Sequence, residues 1–360
     1  MECKRRHMKR HCNFLEAVPT GHSSRSVRSE TATASAAVAS PAVPVSSAQE
    51  PSSSPEDAPV NMLHVELFHN LSSETMKAFN HSNSFSGVSF QDILRYGLNA
   101  PYLTNELLSL SALHLSIVRP GQRSFYRHHS TQLQNYALSS FNNLSPQFID
   151  ENYVSIFLFA GIMGLHMLCE TLVYRANDFE SFIDQFVQYT VLHHGARTAA
   201  GGGRWQLLQQ TALKPLLELG ERIKLADASL GPVCQVLLNR IKGFDHDDAT
   251  ARTYQQAIQA LQSVITMMDN STPLANNDVN ILIAWPVLVP LEYIDLVAQR
   301  KGEALVILAH FGALVHTHKH SWTFCDGGKY LVDSITQYLG PQWEEWLRWP
   351  RQSLMMENSV

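Results

Sequence analysis

Between Thr20 and Val60 the sequence contains no Leu, Ile, Met, Phe, Tyr or Trp. A segment built instead from Ser, Ala, Pro and Val cannot bury enough surface to offset the entropy of ordering it, so residues 20–60 are predicted to be a disordered linker. Cysteine is also scarce: Cys3, Cys12, Cys169, Cys234 and Cys325 are an odd number of widely scattered residues. No apolar secretory core precedes them, which excludes a disulfide framework and fits thiols in a reducing compartment. Charged residues make up only 16% of the chain and the net charge is −5, so the chain as a whole is no polyanion binder. The nearest approach to a membrane span, Val154 to Val173, is interrupted by His166, Cys169 and Glu170, and a buried core helix is expected there. Sustained period-two alternation and repeats at a fixed period are both missing, which excludes a β-sandwich and a helical solenoid. Gly201-Gly202-Gly203-Arg204 lacks the spacing of a phosphate loop, and no nucleophile elbow, Cys-x-x-Cys or dinucleotide fingerprint occurs.

Apolar material is plentiful. At 45% of 360 residues it suffices for one large core or two ordinary ones, and its spacing is helical. From Phe125 to Leu144 the positions Tyr126, His129, Leu133, Tyr136, Ala137 and Phe141 step by three and four around one helix face. Phe179, Phe182, Ile183, Phe186 and Thr190 repeat the pattern after Asp178, a residue suited to cap a helix start. Tyr254, Ile258, Leu261, Ile265 and Met268 do so again. Leu107–Val118 and Ile156–Leu168 are apolar nearly all round and are expected at the centre of the core. Breaks fall at Pro120-Gly121, the glycine triplet, Gly231-Pro232, Pro273 and Gly327-Gly328. The reading is all-α: a multi-helix body over 61–360, a linker over 20–60 and a basic head over 1–19.

The head crowds Lys4, Arg5, Arg6, Lys9 and Arg10 together, with Arg25 and Arg28 beyond and only Glu2 and Glu16 opposed near the start. A basic head on a mildly acidic body suits a nucleus and nucleic acid. A solvated tail and a mitochondrial presequence are the alternatives. In the body, His316, His318 and His320 lie close to Cys325, and His316 and His320 share a helical face at i, i+4. Zinc is one use of that spacing, and helix-end histidines near the negative dipole end are the ordinary one. His128-His129 and His193-His194 lack a third ligand at a familiar spacing and read as surface or half-buried residues. Asp245-His246-Asp247-Asp248 lacks the glycine and distal glutamate of a calcium loop and reads as a solvated turn. Trp343, Trp346 and Trp349 step by three and are expected to anchor the last helix to the core.

Cys3-Lys4-Arg5-Arg6-His7-Met8-Lys9 and Cys12-Asn13-Phe14 resemble parts of the six-cysteine binuclear zinc cluster of fungal transcription factors. Glu66-Leu67-Phe68-His69-Asn70 resembles the first helix of that family's regulatory domain, as does Asn105 to Leu115 its apolar "LL-ALSALHL" block. Tyr126 to Tyr136, Glu151-Asn152 and Glu303 to Phe311 follow in the family's order, and Trp343 to Pro350 is similar to its closing "W-WL-WP". The resemblance covers about Asn61 to Pro350 and is nearest to the sterol uptake control regulators. It implies a nuclear regulator whose helical domain binds a small hydrophobic ligand such as a sterol, or a protein partner or second copy. It also implies that Lys4, Arg5, Arg6, His7 and Lys9 face DNA, with Cys3 and Cys12 as zinc ligands. The pattern is broken, however: the first cysteine's place falls ahead of Met1, Arg10 stands at the third, and the two middle ligands are missing. Zinc is therefore expected only if the cluster is completed, since two thiolates cannot hold two zinc ions. The alternatives are an interaction or ligand-sequestering protein that no longer binds DNA, and an all-helical enzyme with an unrecognised site.

Overall fold

The computed structural model describes residues 59–77, 88–145, 151–175, 178–199, 204–225, 229–269 and 279–355. The chain divides into Met1–Asn61 and Met62–Val360. The head and nearly all of the linker lie outside the described residues, as do the glycine triplet and Pro273. The second unit is all-α: among the described residues there are fifteen α-helices and no strand.

The first helices form around one apolar rod. Helix α1 (Met62–Asn70) runs into a π-helical turn at Leu71–Thr75, and α2 (Phe90–Leu98) leads to α3 (Pro101–Val118). Pro101 opens α3 at a position where a missing N–H costs nothing, and Pro120 follows its end. Helix α4 (Arg123–Asn142) then packs back along α3. Because α3 is buried on every side, its short polar side chains must find partners inside the protein. Ser109 Oγ donates to the Ser130 carbonyl at 2.8 Å and Ser130 Oγ returns a bond to the Ser109 carbonyl at 3.0 Å. Ser111 Oγ donates to the Leu67 carbonyl at 2.7 Å, and Thr75 Oγ1 lies 2.9 Å from His114 Nδ1. These bonds fix α1 and α4 on α3. Glu106 is fully buried, its carboxylate 3.0 Å from the Nδ1 of buried His166.

Helix α5 (Tyr153–Val173) crosses α2 and α3 and packs on α6 (Phe179–Ala199). By length and composition α5 does meet the requirement for a membrane span, which corrects the sequence reading: the isolated His166 and Glu170 do not lower its mean hydropathy enough. Its most apolar stretch is 61% buried within the fold. Asp178 caps α6, its Oδ1 accepting from the Ser181 N–H at 2.8 Å.

The remaining helices are α7 (Arg204–Leu208), α8 (Lys214–Leu225), α9 (Pro232–Ile241), α10 (Asp248–Asp269), α11 (Val279–Leu288), α12 (Leu291–Ala298), α13 (Gly302–His316), α14 (Gly327–Leu339) and α15 (Arg348–Met355). Most of them enclose the largest core cluster, centred on α13 and containing Trp285, Tyr293 and Phe311. Asp247 is the cap of α10, accepting from the N–H groups of Ala249 and Thr250 at 2.9 Å each; the acidic turn thus has a structural task beyond solvation. Trp343, Trp346 and Trp349 pack half-buried against this core, and Trp349 stacks on His310; of the three, only Trp349 lies on the last helix, with Trp343 and Trp346 in the turns before it. On α4 the periodicity misplaces one residue: Tyr136 is exposed, while Ser130 takes a buried place because its hydroxyl is bonded to α3.

Candidate ligand cavity

An apolar cavity of about 290 Å³ opens among α3, α5, α6, α8 and α11, with Met76, Ile93 and Trp205 also on its wall. That is near the lower end of the roughly 300–1,000 Å³ usual for small-molecule pockets. The wall is almost wholly aliphatic and aromatic. Leu158, Ile162 and Leu165 come from one face of α5, Leu216, Leu217 and Ile223 from α8, and Ile283 and Val287 from α11.

Two residues explain why space remains between these helices. Gly161 lies inside α5 and Gly220 inside α8, both on the cavity wall, and a methyl group at either would meet no atom within 4 Å. Glycine in a helix interior costs about 1 kcal/mol relative to alanine. Neither position needs glycine for close packing, so the helices give up local stability where the space is kept.

Polar side chains on the wall are few: His193, Glu221 and Asn280. His193 Nδ1 is buried without a hydrogen-bond partner, and burial, with the adjacent His194 adding to it, pushes its pKa down to about 4. His194 turns the other way and donates from Nε2 to the Pro286 carbonyl at 2.9 Å. The His193-His194 pair, which the sequence offers only as surface or half-buried residues, therefore joins α6 to α11 and puts one imidazole on the cavity wall.

Other histidines stand apart from this cavity. His316 ends α13 and is buried, and its pKa is lowered first by burial and then by Lys319 and Lys329. It stands in the last turn of α13, the helix-end position expected of it, and is packed there rather than exposed. Among the described residues no three His, Cys, Asp or Glu side chains converge as a metal site, His316, His318, His320 and Cys325 included. Cys234 is buried and its thiol is pushed up to about 12 by desolvation. Cys3, Lys4, Arg5, Arg6, His7, Lys9 and Cys12 lie outside the described residues.

The chain is similar to a Zn(2)-C6 fungal-type transcription factor of Gibberella zeae, 22% identical over 318 residues. The match takes in 83% of this chain and 63% of the relative, so the chain spans somewhat less than two thirds of that protein's length. No family profile matches the chain, and no solved structure does. The length of the match supports kinship with fungal transcription regulators.

Proposed function

We propose that this protein is a nuclear transcription regulator of the zinc-cluster kind whose helical body senses a small apolar molecule in the α5–α8 cavity. The observation that carries the ligand reading is the open space in front of Gly161 and Gly220, lined by apolar side chains from five helices and more. Binding there bridges α5, α6, α8 and α11, so a ligand shifts whichever arrangement of these helices it fits best. The regulator reading is supported by the long match to a Zn(2)-C6 fungal-type transcription factor. A sterol-like ligand follows from the resemblance of the body to sterol uptake control regulators.

Filling the cavity tests the ligand reading. In the full chain, N-phenyl-1-naphthylamine fluorescence is expected to rise on binding. Gly161→Phe and Gly220→Phe should each abolish that rise while leaving the thermal midpoint unchanged or higher, because each ring enters space that is already open. Undiminished probe binding in both filled variants would overturn the assignment of the cavity.

A second reading has its own observation. Arg10 occupies the third ligand position, and after Cys3 and Cys12 the next cysteine is Cys169, so the head lacks the donor set of a binuclear cluster. On this reading the chain acts through a partner that carries an intact DNA-binding head. Mobility-shift assays with the full chain separate the two: DNA binding lost on adding EDTA favours an autonomous zinc-dependent regulator. Binding that ignores EDTA but fades with salt reflects only the Lys4–Arg10 charge, and favours the partner-dependent one.

A further inference from the structure

The cavity has one wall residue whose polar group is left without a partner. His193 reaches the wall from α6. A methyl group at Gly164 would collide first with Nδ1 of this imidazole and then with its Cε1 and Cγ. The Nδ1 corner therefore rests directly on the α5 backbone, in a notch that any side chain at 164 would fill, and the Nε2–Cδ2 edge points away from it. Tyr189, one turn earlier on α6, meets the ring edge-on with centroids 5.7 Å apart. Its own hydroxyl is buried and unpartnered, so it offers His193 no hydrogen bond. The imidazole is held by packing on two sides, and the part of it that lines the cavity is the edge away from Gly164.

The chemistry of that edge follows from what the sealed corner lacks. A neutral imidazole carries one donor nitrogen and one acceptor nitrogen, and the ring is neutral at pH 7 because burial disfavours its charge. A buried N–H without an acceptor is rarer and costlier than an acceptor without a donor. Nδ1, sealed against a Cα and without a partner, is accordingly the bare nitrogen, and Nε2 carries the hydrogen. The cavity thus presents an N–H donor from a rigid ring on a wall that is mostly apolar, with Glu221 and Asn280 as its other polar side chains. Burying a carboxylate among these mostly apolar side chains is costly, which disfavours an acidic ligand.

We propose that His193 is the polar anchor of this cavity, donating from Nε2 to a hydroxyl or carbonyl oxygen of an otherwise apolar, uncharged ligand. Gly164 is its positioning residue, since it sets which nitrogen is sealed and which is offered. This inference rests on the reading of the cavity as a ligand site and adds the chemical class of the ligand: a neutral molecule with one oxygen function, selected over its hydrocarbon and over its acid.

Three probes on one skeleton test it with the full chain. 2-Naphthol, 2-methylnaphthalene and 2-naphthoate differ only in hydroxyl, methyl and carboxylate, and their dissociation constants follow from displacement of N-phenyl-1-naphthylamine. The wild type should bind 2-naphthol about tenfold or more tightly than either of the others, because only it gives the buried donor a neutral partner. In His193→Phe the preference for 2-naphthol over 2-methylnaphthalene should vanish while the methyl compound still binds within about twofold of wild type; His193→Gln, which keeps an N–H, should recover part of the preference. Equal wild-type binding of the hydroxyl and methyl compounds would overturn the anchor and leave the cavity reading intact. Binding of none of the three would overturn the cavity reading, and the anchor with it. Should His193→Phe lose its near-ultraviolet dichroism and fail to fold, the wild-type order of the three probes still decides the question.

Discussion

Single residues carry two kinds of information here, and only one kind is visible in the sequence. Asp178 is of the visible kind: an acid just before a periodic apolar run, it accepts from the Ser181 N–H, and its pKa is lowered first by that backbone bond. Asp178→Ala should lower the urea midpoint and Asp178→Ser should restore most of it, as equilibrium unfolding followed by circular dichroism will show. Glu106 is of the other kind. It stands in a block whose leucines announce a buried helix, yet nothing in the string Asn105-Glu106-Leu107 shows that the carboxylate itself is buried against His166, sixty positions away. The pairing depends on how α3 meets α5, which local sequence does not encode. Glu106→Ala removes a buried side chain and leaves His166 Nδ1 without this neighbour, and should cost about 1–3 kcal/mol in urea unfolding. A loss below about 1 kcal/mol, the range of an exposed pair, would show that the pair contributes little.

At the scale of elements the helices were legible because each buries one stripe or its whole circumference, and both patterns recur at the helical period. The predicted all-round burial is met by α3 from Leu107 to Ser116, whereas Val118 is exposed and Phe157, Ala160, Gly161, Ile162, Met163 and Met167 on α5 are half-buried. The misplacement of Tyr136 has a plain cause: an aromatic ring was weighed by its hydrophobicity, whereas the buried slot on that face went to Ser130, which offers α3 a hydrogen bond. Gly327-Gly328 shows the same division. The pair reads as a break and does open α14, but its second role is close approach. A methyl group at Gly328 would overlap the backbone nitrogen of His316 and the carbonyl of Gly312 on α13. Backbone cannot rotate aside as a side chain can, so Gly328→Val must drive α14 off α13. The expected loss is about 3 kcal/mol or more, or failure to fold, read from the urea transition. A wild-type midpoint would contradict the crossing of these two helices.

For the molecule as a whole the cavity was not legible, because its wall is assembled from more than five separate segments and its clearest markers are two glycines inside helices. The same burial that hides the site makes a prediction for the entire fold. His114, His193 and His310 each have a pKa pushed down to about 4, in every case mainly by desolvation. Each is free to take up a proton in the unfolded chain near the ordinary histidine value of about 6.5. For a group whose folded pKa is depressed, the unfolded state binds more protons in the window between the two values, so stability falls as pH falls through it. Above about pH 6.5 the contribution is fully present; between about 6.5 and 4 each histidine removes about 1.4 kcal/mol per pH unit. Three such groups give a combined slope of about 4 kcal/mol per unit, set against a typical total stability of about 5–15 kcal/mol. Urea unfolding at pH 7.5, 6.5, 5.5 and 5 should therefore show a plateau followed by a steep decline, with cooperative structure lost well above pH 4. His310→Phe keeps an aromatic ring beside Trp349, with which His310 stacks, and should lessen the slope by about one third without moving the onset. A slope that stays the same in this variant would mean that acid unfolding is governed by the carboxylates, such as Glu66, whose pKa is lowered chiefly by its bond to Arg119, and not by the buried imidazoles.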